Sequence, residues 1–404
     1  MPLLSLRQPS FTIMGGLLIT PDRVIEGSLR ATGGRIVALG ERLTPAARDI
    51  LVELDDDCVY PGLINAHDHL ELNLFPNIGQ GPYPNSYAWF DDVNRRRDDP
   101  AIARVLDVSI NDRLRWGGYR CLFSGVTTVA HHNPYHARLF GNGFPTRVLR
   151  RYRWSHTLRL AGSYGGRAEE EFRKTRGVEP FIIHLAEGVD EVAAGELAEL
   201  DRLGALQANT ILVHGVGLTP GDRALLRARG ASLVWCPSSN LFLFRRTADI
   251  PSLAGKVRMA VGTDSTLSGR PTLFDELRVA DGLGYVDPTT LTGMVTTVPA
   301  AMFGLADRAG RLAEGYPADI LILARTEADP YRNLIAATPA SVRLVFLDGL
   351  PRFGDEKFAA CFRRCGISFE RVRVDGVIKL VAGRFHALLD RVRRSVDALP
   401  IRIG

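Results

Sequence analysis

Apolar strand candidates alternate with helix-like stretches through the middle of this chain, from Pro61 to about Leu305. A repeated strand–helix order predicts a parallel sheet with helical crossovers, and about eight units over roughly 250 residues is the size of a (β/α)8 barrel. The active site of such a barrel lies at the C-terminal ends of its strands. The strand candidates are LINAH, GVTTVAHH, TRVLRRYRWSHTL, EPFIIHLAE, TILVHGVGL, ASLVWCPSSN and VRMAVGTDS.

Both ends of the chain differ from this middle, because short apolar runs are separated there by Gly and Pro. Residues 11–59 and 310–354 have this pattern, which predicts β-hairpins, with Gly-Gly turns in FTIMGGLLIT and SLRATGGRIVALG. We therefore predict an α/β protein with a small β-sandwich domain built from both chain ends. The predicted boundaries are residues 1–60 and 306–355 for the sandwich, 61–305 for the barrel and 356–404 for a C-terminal extension.

The sequence of the C-terminal extension predicts a strand pair followed by an amphipathic helix. Leu388, Leu389, Val392 and Val396 fall on one side of this helix, which we expect to pack on the barrel or on a second subunit. His386 lies in the same helix, and we expect a structural role for it.

Composition excludes several classes of protein. The chain has 404 residues, of which 46% are hydrophobic and 24% charged, which is typical of a globular protein. Its net charge of +5 comes from 50 basic and 45 acidic residues that are interspersed. The densest basic groups, at 95–97 and 150–153, lack the interleaved aromatic residues of a nucleic-acid site, so we expect a solvated surface.

Membrane insertion and secretion are also disfavoured. There is no stretch of 18 apolar residues, and the N-terminal sequence lacks the pattern of a signal peptide. The cysteines are few and scattered, which argues against a disulfide framework: Cys58, Cys121, Cys236, Cys361 and Cys365. These features predict a cytoplasmic protein that binds neither membrane nor nucleic acid.

The first strand candidate of the middle region ends in His67-Asp68-His69. Alternate side chains of a strand share a face, so the two imidazoles point the same way and Asp68 points the opposite way. Two nitrogen donors on a rigid strand need only one or two further ligands to bind zinc or ferrous iron.

Candidate partners follow later strands. His184 and His214 end two successive strand candidates, Glu187 follows His184 by three residues, and Asp264 ends the last candidate. Each has an ordinary alternative, since a single His at a strand end often lies in a rim or core and an Asp after Gly-Thr often caps a helix. Taken together they favour a site, because strand ends at regular βα spacing converge at one barrel mouth.

The motifs PGLINAHDH, HLAE, VHG, CPSSN and GTDS occur in this order. In combination they resemble the amidohydrolase superfamily, in particular its cytosine deaminase-like and chlorohydrolase-like branch, which also holds guanine and S-adenosylhomocysteine deaminases. GRLAEGYPADILIL resembles the composite β-sandwich of that family. The resemblance covers residues 11–355.

The resemblance implies a mononuclear site with His67, His69, His184 and Asp264 as ligands of one divalent metal, Zn²⁺ or alternatively Fe²⁺. It implies Glu187 as proton shuttle and His214 as the residue that orients the attacking water. A divalent ion lowers the pKa of bound water toward about 7 and supplies hydroxide at neutral pH. Binuclear relatives use a carboxylated lysine at a strand end, and none of the lysines here is so placed: Lys174, Lys256, Lys357 and Lys379.

Two regions depart from the family pattern. Between His69 and His184 only two clear strand candidates precede LAGSYGG, where the family has three, so one strand or helix is predicted to be shortened or lost and the barrel distorted there. In AHHNPYH, the residues His131, His132 and His136 have three open roles: substrate contact, second metal site or loop cap. Only one of the adjacent pair can face the mouth.

Further candidates for the substrate pocket follow the first motif and two later ones. They are Glu71, Phe75 and Trp89, then Asn240 in CPSSN, and Ser265 after Asp264. A structural role for the two aromatic residues is equally open.

The function implied is hydrolytic deamination of an aminated small-molecule heterocycle of purine, pterin or pyrimidine type. The same site would serve hydrolysis of a cyclic or linear amide, or dechlorination, since each reaction attacks an sp² carbon. Alternatives of other kinds are a binuclear enzyme using His131 or His132, and an inactive barrel that acts as a binding protein. A homodimer is left open.

Overall fold

The computed structural model describes residues 9–141, 143–160 and 164–404. Residues 1–8, where part of the N-terminal prediction falls, and residues 161–163 of LAGSYGG lie outside this range. The described strands are β1 (Phe11–Ile19), β2 (Val24–Thr32), β3 (Arg35–Gly40), β4 (Ile50–Glu53), β5 (Cys58–Pro61), β6 (Leu63–Asp68), β7 (Val126–His131), β8 (Arg147–Val148), β9 (Arg153–Ser155), β10 (Phe181–Leu185), β11 (Thr210–His214), β12 (Ser232–Trp235), β13 (Arg258–Val261), β14 (Ile320–Leu323), β15 (Val342–Leu347), β16 (Leu350–Asp355), β17 (Phe369–Val374) and β18 (Val377–Ala382).

Helices connect most of the strands in the middle of the chain. They are α1 (Ser86–Arg95), α2 (Pro100–Leu106), α3 (Ile110–Phe123), α4 (Ala168–Lys174), α5 (Glu191–Arg202), α6 (Pro220–Arg229), α7 (Pro237–Phe244), α8 (Ile250–Leu253), α9 (Leu273–Gly282), α10 (Pro288–Gly293), α11 (Thr297–Met302), α12 (Pro330–Ala336), α13 (Ala359–Arg364) and α14 (Phe385–Arg393). The chain is thus an α/β protein, as the sequence predicts.

The middle region forms two parallel sheets. One has the order β6-β7-β8, and the other has the order β13-β12-β11-β10-β9. Every residue of β10 and β11 is buried, as expected for parallel strands whose two faces are both covered. The strand candidate ASLVWCPSSN is shorter than predicted, because Pro237 occupies the first turn of α7, where proline favours helix formation.

The two parallel sheets are joined by one bent segment. β8 pairs with β7 and β9 pairs with β10, yet only residues 149–152 separate β8 from β9. A crossover between neighbouring parallel strands needs about a dozen residues, so β8 and β9 are consecutive parts of one segment rather than two units. The described part of the connection before β8 contains no helix. The shortened unit therefore lies on the side where the sequence predicts one.

The first and last strands of the middle region meet at their C-terminal ends. The amides of Thr263 and Asp264 donate to the His67 carbonyl at 3.0 and 3.1 Å, and the His69 amide donates to the Asp264 carbonyl at 3.2 Å. Asp68 and Asp264 form a parallel bridge. These bonds place the first histidine pair beside the last strand.

The two chain ends share a ten-stranded sheet with the order β17-β18-β16-β15-β14-β5-β1-β2-β3, in which β4 also pairs with β1. β18 pairs with β16, so the sheet continues across the predicted boundary after residue 355. Gly33 and Gly34 form the predicted turn between β2 and β3, with φ values of 60° and 76°. The prediction of a turn at Gly15-Gly16 is wrong: these residues lie within β1, where they form an irregularity in the β1–β2 register.

The C-terminal helix α14 packs on the middle region. Leu388, Leu389 and Val392 are buried on one side, as the amphipathic pattern predicts, and Val396 beyond its end is buried too. The Phe385 ring contacts Trp116 and Tyr119 of α3, with centroids 6.4 and 4.8 Å away. His386 is exposed beside Glu370, which is consistent with a structural role.

All the cysteines of the described residues are free, so the expectation of a chain without a disulfide framework agrees with the structure. None of the described helices combines the length and the apolar character needed to cross a bilayer.

Candidate metal centre and active site

Three imidazoles meet at the C-terminal ends of β6 and β10. The Nε2 atom of His184 lies 3.2 Å from Nε2 of His67 and 3.2 Å from Nε2 of His69. Asp264 Oδ1 lies 3.7 Å from His67 Nε2 and 3.6 Å from His69 Nε2. The structure therefore brings together the residues that the sequence predicts as ligands.

This arrangement fits one metal ion held by the three imidazoles, with Asp264 as a further and more distant ligand. With metal–nitrogen bonds of about 2.0–2.1 Å, two ligand atoms of a tetrahedron stand about 3.3–3.4 Å apart. The spacings of 3.2 to 3.7 Å bracket that value. The side chains are buried, and imidazole nitrogens with a carboxylate are a typical donor set for Zn²⁺. Nitrogen atoms this close to one another favour a shared cation.

His132 also lies in this group of histidines, although it is not among the four ligands that the sequence predicts. His67, His69, His132 and His184 present nitrogens that lie within 4.8 Å of one another. His132 Nε2 donates to the Ser155 carbonyl at 3.0 Å, however, which leaves only Nδ1 free to bind a metal. The adjacent His131 points elsewhere, toward the Leu70 amide, in agreement with the prediction that only one of the pair faces the mouth.

Outer hydrogen bonds orient the candidate ligands. His184 Nδ1 donates to the His156 carbonyl at 2.8 Å, which leaves Nε2 unprotonated and directed at the other histidines. Asp264 Oδ2 accepts from Ser239 Oγ at 2.8 Å and from Ser268 Oγ at 3.0 Å, so that Oδ1 faces the imidazoles.

Asp68 lies on the opposite side of β6, as strand alternation predicts. Its carboxylate is fully buried, and it forms an ion pair with Arg120. It also accepts from Asn65 at 2.9 Å, Asn73 at 2.8 Å and Thr263 at 2.9 Å. This network ties the backbone between the two histidines to α3 and to the last strand, which makes the site rigid.

Two candidate catalytic residues occupy a backbone region that few residues adopt. His214 and Asp264 have positive φ values of 76° and 56°. Outside glycine this left-handed conformation is uncommon, and it concentrates at functional sites whose surroundings enforce it. Each residue stands directly at or after a strand end, where the changed backbone direction aims its side chain.

Glu187 and His214 lie next to each other beside the histidine cluster. Glu187 Oε1 is 3.3 Å from His214 Nε2. His214 Nδ1 donates to Asn240 Oδ1 at 2.8 Å, so its Nε2 atom is available as an acceptor. Burial and the charge of Asp264 raise the pKa of Glu187 well above its usual value, while burial lowers the pKa of His214. Glu187 is therefore suited to carry a proton, and the neutral His214 ring is suited to accept a hydrogen bond.

A cavity of about 400 Å³ opens onto these residues. Of the sequence candidates for substrate contact, Trp89, Phe75 and Ser265 line it. His69, His184, Glu187, His214 and Asp264 form its inner end. The cavity therefore connects the candidate metal centre to solvent.

Other sequence candidates do not line the cavity. Their side chains contact other protein groups instead. Asn240 bonds His214 and donates to Thr247 Oγ1 at 3.1 Å, so it orients His214. Glu71 accepts from Asn133 and lies 3.8 Å from His131 Nδ1. His136, the third histidine of AHHNPYH, packs its ring on Phe140. The structure thus gives these residues supporting contacts instead of contacts with the cavity.

His156 is a cavity residue that the sequence analysis did not single out. It lines the cavity, and its ring lies 4.6 Å from that of His184. Its Nδ1 atom is buried without a hydrogen-bond partner. His156 directly follows β9, and His184 and His214 likewise stand at or near the ends of β10 and β11, so a histidine at a strand end is the signal that points to it.

A methyl group at Gly262 is expected to disturb the site. An ideal Cβ there would lie 2.7 Å from His67 Cβ and 2.9 Å from the His67 amide nitrogen. Because this part of His67 is held in the β6–β13 contact, we expect Gly262→Ala to displace the imidazole and weaken metal binding by about 10- to 100-fold. Competition with a chelator measures the affinity. Gly195→Ala, in α5 with open space around its Cβ, is the control and should bind metal normally.

The metal-free protein is expected to lose stability in mild acid. Burial lowers the pKa of His131 to about 4 and that of His156 to about 3. Below about pH 6.5 the unfolded chain binds these protons and the folded chain does not, so the free energy of unfolding falls by about 1.4 kcal/mol per pH unit for each group. Denaturant unfolding from pH 7.5 to 5 measures this slope. His131→Gln should reduce this slope by the contribution of one proton. An unchanged slope would contradict the claim that buried, neutral His131 contributes to the loss of stability in acid.

Known proteins resemble this chain in sequence. The model of the Amidohydrolase family matches residues 177–351. A 5'-deoxyadenosine deaminase from Methanothermobacter thermautotrophicus is 25% identical over 84% of this chain and 92% of the relative. A 5-methylthioadenosine/S-adenosylhomocysteine deaminase from Halobacterium salinarum is 29% identical over 75% of this chain and 79% of the relative.

Solved structures share the fold. A zinc-bound adenosine deaminase from Xanthomonas campestris superimposes with a TM-score of 0.70 at 21% identity, covering 96% of this chain and 98% of the other. A zinc complex of an atrazine chlorohydrolase from Arthrobacter aurescens has a TM-score of 0.68 at 19% identity, covering 84% and 94%. Family model, relatives and fold agree with the motifs in their similarity to the amidohydrolase superfamily.

Proposed function

We propose that this protein is a mononuclear metal-dependent hydrolase that deaminates an aminated heterocycle with release of ammonia. The observation that carries the proposal is the meeting of His67, His69, His184 and Asp264 beside the Glu187–His214 pair, at the inner end of one cavity. The relatives named above are deaminases of adenosine derivatives, which supports this reaction over the alternatives.

In this proposal the Nε2 atoms of three histidines and one Asp264 oxygen hold Zn²⁺. The ion would lower the pKa of a bound water and supply a nucleophile at neutral pH. Nε2 of His214 orients that water as a hydrogen-bond acceptor, because its other nitrogen is committed to Asn240. Asp264 Oδ1 accepts the proton that the water gives up, while the two serine bonds to Oδ2 fix the carboxylate.

Glu187 carries the second part of the chemistry. Because burial favours its protonated form, the carboxyl group donates a proton to the ring nitrogen next to the attacked carbon. The proton that Asp264 took from the water would then go to the departing amine, and the remaining proton of the attacking hydroxyl would return to Glu187, so that ammonia leaves with both water protons accounted for. Glu187 Oε1 lies 3.3 Å from His214 Nε2, which places the carboxyl group next to the nitrogen that orients the water.

We also propose that the parallel strands close into a distorted barrel. The hydrogen bonds between residues 67–69 and 263–264 support closure on one side, and the bent segment 147–155 joins the two sheets on the other. A sandwich for the ten-stranded sheet is supported by the rings of Phe11 and Phe346, which stack 4.3 Å apart although β1 and β15 are not neighbours in the sheet.

The remaining expectations stay predictions. These are a small-molecule substrate without nucleic-acid or membrane binding, a cytoplasmic location, and a homodimer as one option for assembly. The division at residues 60, 305 and 355 is likewise proposed, with the C-terminal strands completing the sheet of the chain ends.

The test combines elemental analysis with a screen for ammonia release. Zinc-loaded protein should contain about one metal ion per chain and release ammonia from at least one aminated purine, pterin or pyrimidine. Two metal ions per chain would favour the binuclear alternative. One ion with release of chloride, or with hydrolysis of an amide to a carboxylate, would change the assigned reaction. One ion without any turnover would favour a binding protein.

A further inference from the structure

We propose that the substrate carries an apolar alkyl or aryl substituent on its heterocycle, and that ribosides are poor substrates. This inference rests on the deaminase function proposed above and concerns the part of the cavity beyond the metal centre. It separates this chain from relatives whose names specify adenosine derivatives.

The cavity wall beyond the metal centre is apolar. Helix α1 contributes Trp89, Phe90 and Val93, and helix α2 contributes Ile102 and Leu106. Both helices lie in the connection between β6 and α3. The Phe90 ring lies 5.8 Å from the His156 ring, so the apolar wall begins next to the inner end. A substituent on a ring bound at the metal centre would therefore contact apolar side chains as soon as it extends away from the metal ligands.

Three of the polar side chains that line the cavity beyond the metal centre already have partners within the protein. Trp89 Nε1 donates to the Ile78 carbonyl at 2.8 Å. Tyr164 OH donates to Asn133 Oδ1 at 2.6 Å, and Tyr87 OH donates to the Glu196 carboxylate. Each of these residues thus turns its ring, and not a free polar atom, toward a ligand.

Carboxylates occur in the lining only at the metal end. Among the described lining residues these are Glu187 and Asp264, and both are engaged with the imidazoles. A ribose diol is commonly held by an Asp or Glu that accepts from its hydroxyls. Asn94 and Arg97 also line the cavity but are exposed at its outer rim. The described wall between rim and metal end therefore offers no carboxylate to a diol.

Burying a ribose against the apolar side chains of α1 and α2 would leave hydroxyl groups without hydrogen bonds. Each unsatisfied buried group costs about tenfold to a hundredfold in binding. An alkyl or aryl group of similar size loses no hydrogen bond and gains from the removal of apolar surface from water. The preference for an alkyl or aryl substituent over a ribose should therefore be large, and it should appear in binding as well as in turnover.

The experiment compares matched pairs on zinc-loaded wild-type protein. Adenosine is compared with 9-benzyladenine, and cytidine with 1-benzylcytosine, since each pair shares its reacting ring and leaving amine. For the ring that reacts, we expect kcat/KM for ammonia release to be about a hundredfold higher for the benzyl compound than for the riboside. Product binding, inosine against 9-benzylhypoxanthine and uridine against 1-benzyluracil, should show the same order by calorimetry.

The outcomes separate the two proposals. Equal or faster turnover of the riboside, or turnover of only the unsubstituted base, would overturn the apolar-substituent inference and leave the deaminase function standing. Absence of ammonia release from every aminated ring, with zinc bound, would refute the deaminase function and the inference with it.

Variants at Val93 test the wall itself. Val93→Glu places a carboxylate in the apolar wall and should lower the preference for the benzyl compound at least tenfold, whereas Val93→Leu should keep it. Zinc content and the melting temperature of each variant show whether the fold is retained. If Val93→Glu is folded and metal-loaded but its preference is unchanged, the wall does not select the substituent and the inference fails.

Discussion

Replacing Glu187 by glutamine is expected to lower kcat by about 10²- to 10⁴-fold while the metal content stays unchanged. Glutamine has nearly the shape of glutamate but cannot donate an acidic proton to a ring nitrogen. Glu187 Oε1 lies 3.3 Å from Nε2 of His214, which is not one of the proposed ligands, so the ligand atoms should keep their positions. Ammonia release under saturating substrate and zinc analysis of the same sample measure the two effects.

Glu71→Gln is a matched control for this variant. Glu71 is also buried, lies outside the cavity lining and accepts from Asn133, a bond that a glutamine oxygen can retain. We expect nearly normal turnover from it. Loss of metal in Glu187→Gln would reassign Glu187 as a ligand, and full activity would remove it from the mechanism.

Replacing His184 by alanine is expected to abolish metal binding and, with it, turnover. Its Nε2 atom is the one that stands 3.2 Å from both His67 and His69, so without it two histidines and a more distant carboxylate remain. Zinc retained after dialysis should fall from about one ion per chain to a small fraction of that.

His132→Ala distinguishes the two possible ligand sets. Since His132 Nε2 is bound to the Ser155 carbonyl, we expect this variant to keep its zinc. His132→Gln preserves a donor for that carbonyl and serves as a second version if the alanine variant is unstable. Loss of zinc from both, in folded protein, would show that His132 binds the metal through Nδ1 and would replace Asp264 in the proposed set.

Local rules were sufficient for much of the site. Strand alternation alone places His67 and His69 on one side of β6 and Asp68 on the other, and the structure agrees. The adjacent His131 and His132 diverge for the same reason. The βα order was enough to predict that His184, His214 and Asp264 end strands at one edge, because parallel strands present the same end to the same side.

Contacts between distant segments were beyond such rules. Asn240 was expected to touch substrate, yet proline at the start of α7 turns its chain into a helix and brings its amide to His214. His132 reaches the histidine cluster because the segment 147–155 bends and offers the Ser155 carbonyl to it. The positive φ values of His214 and Asp264 have no signature in residue type.

The resemblance to the amidohydrolase superfamily, the strand–helix order and the first histidine pair could all be inferred from the amino-acid sequence, because they follow from periodicities and motifs within a few residues of each other. The tertiary structure decided how the ligands are spaced, which polar atoms are already occupied and what covers the cavity. Those depend on packing between residues up to about 200 positions apart, such as Asn65 and Thr263, and on which hydrogen bonds survive burial. The apolar wall from α1 and α2 is the clearest case, since its residues read as ordinary helix residues until the fold places them beside the metal centre.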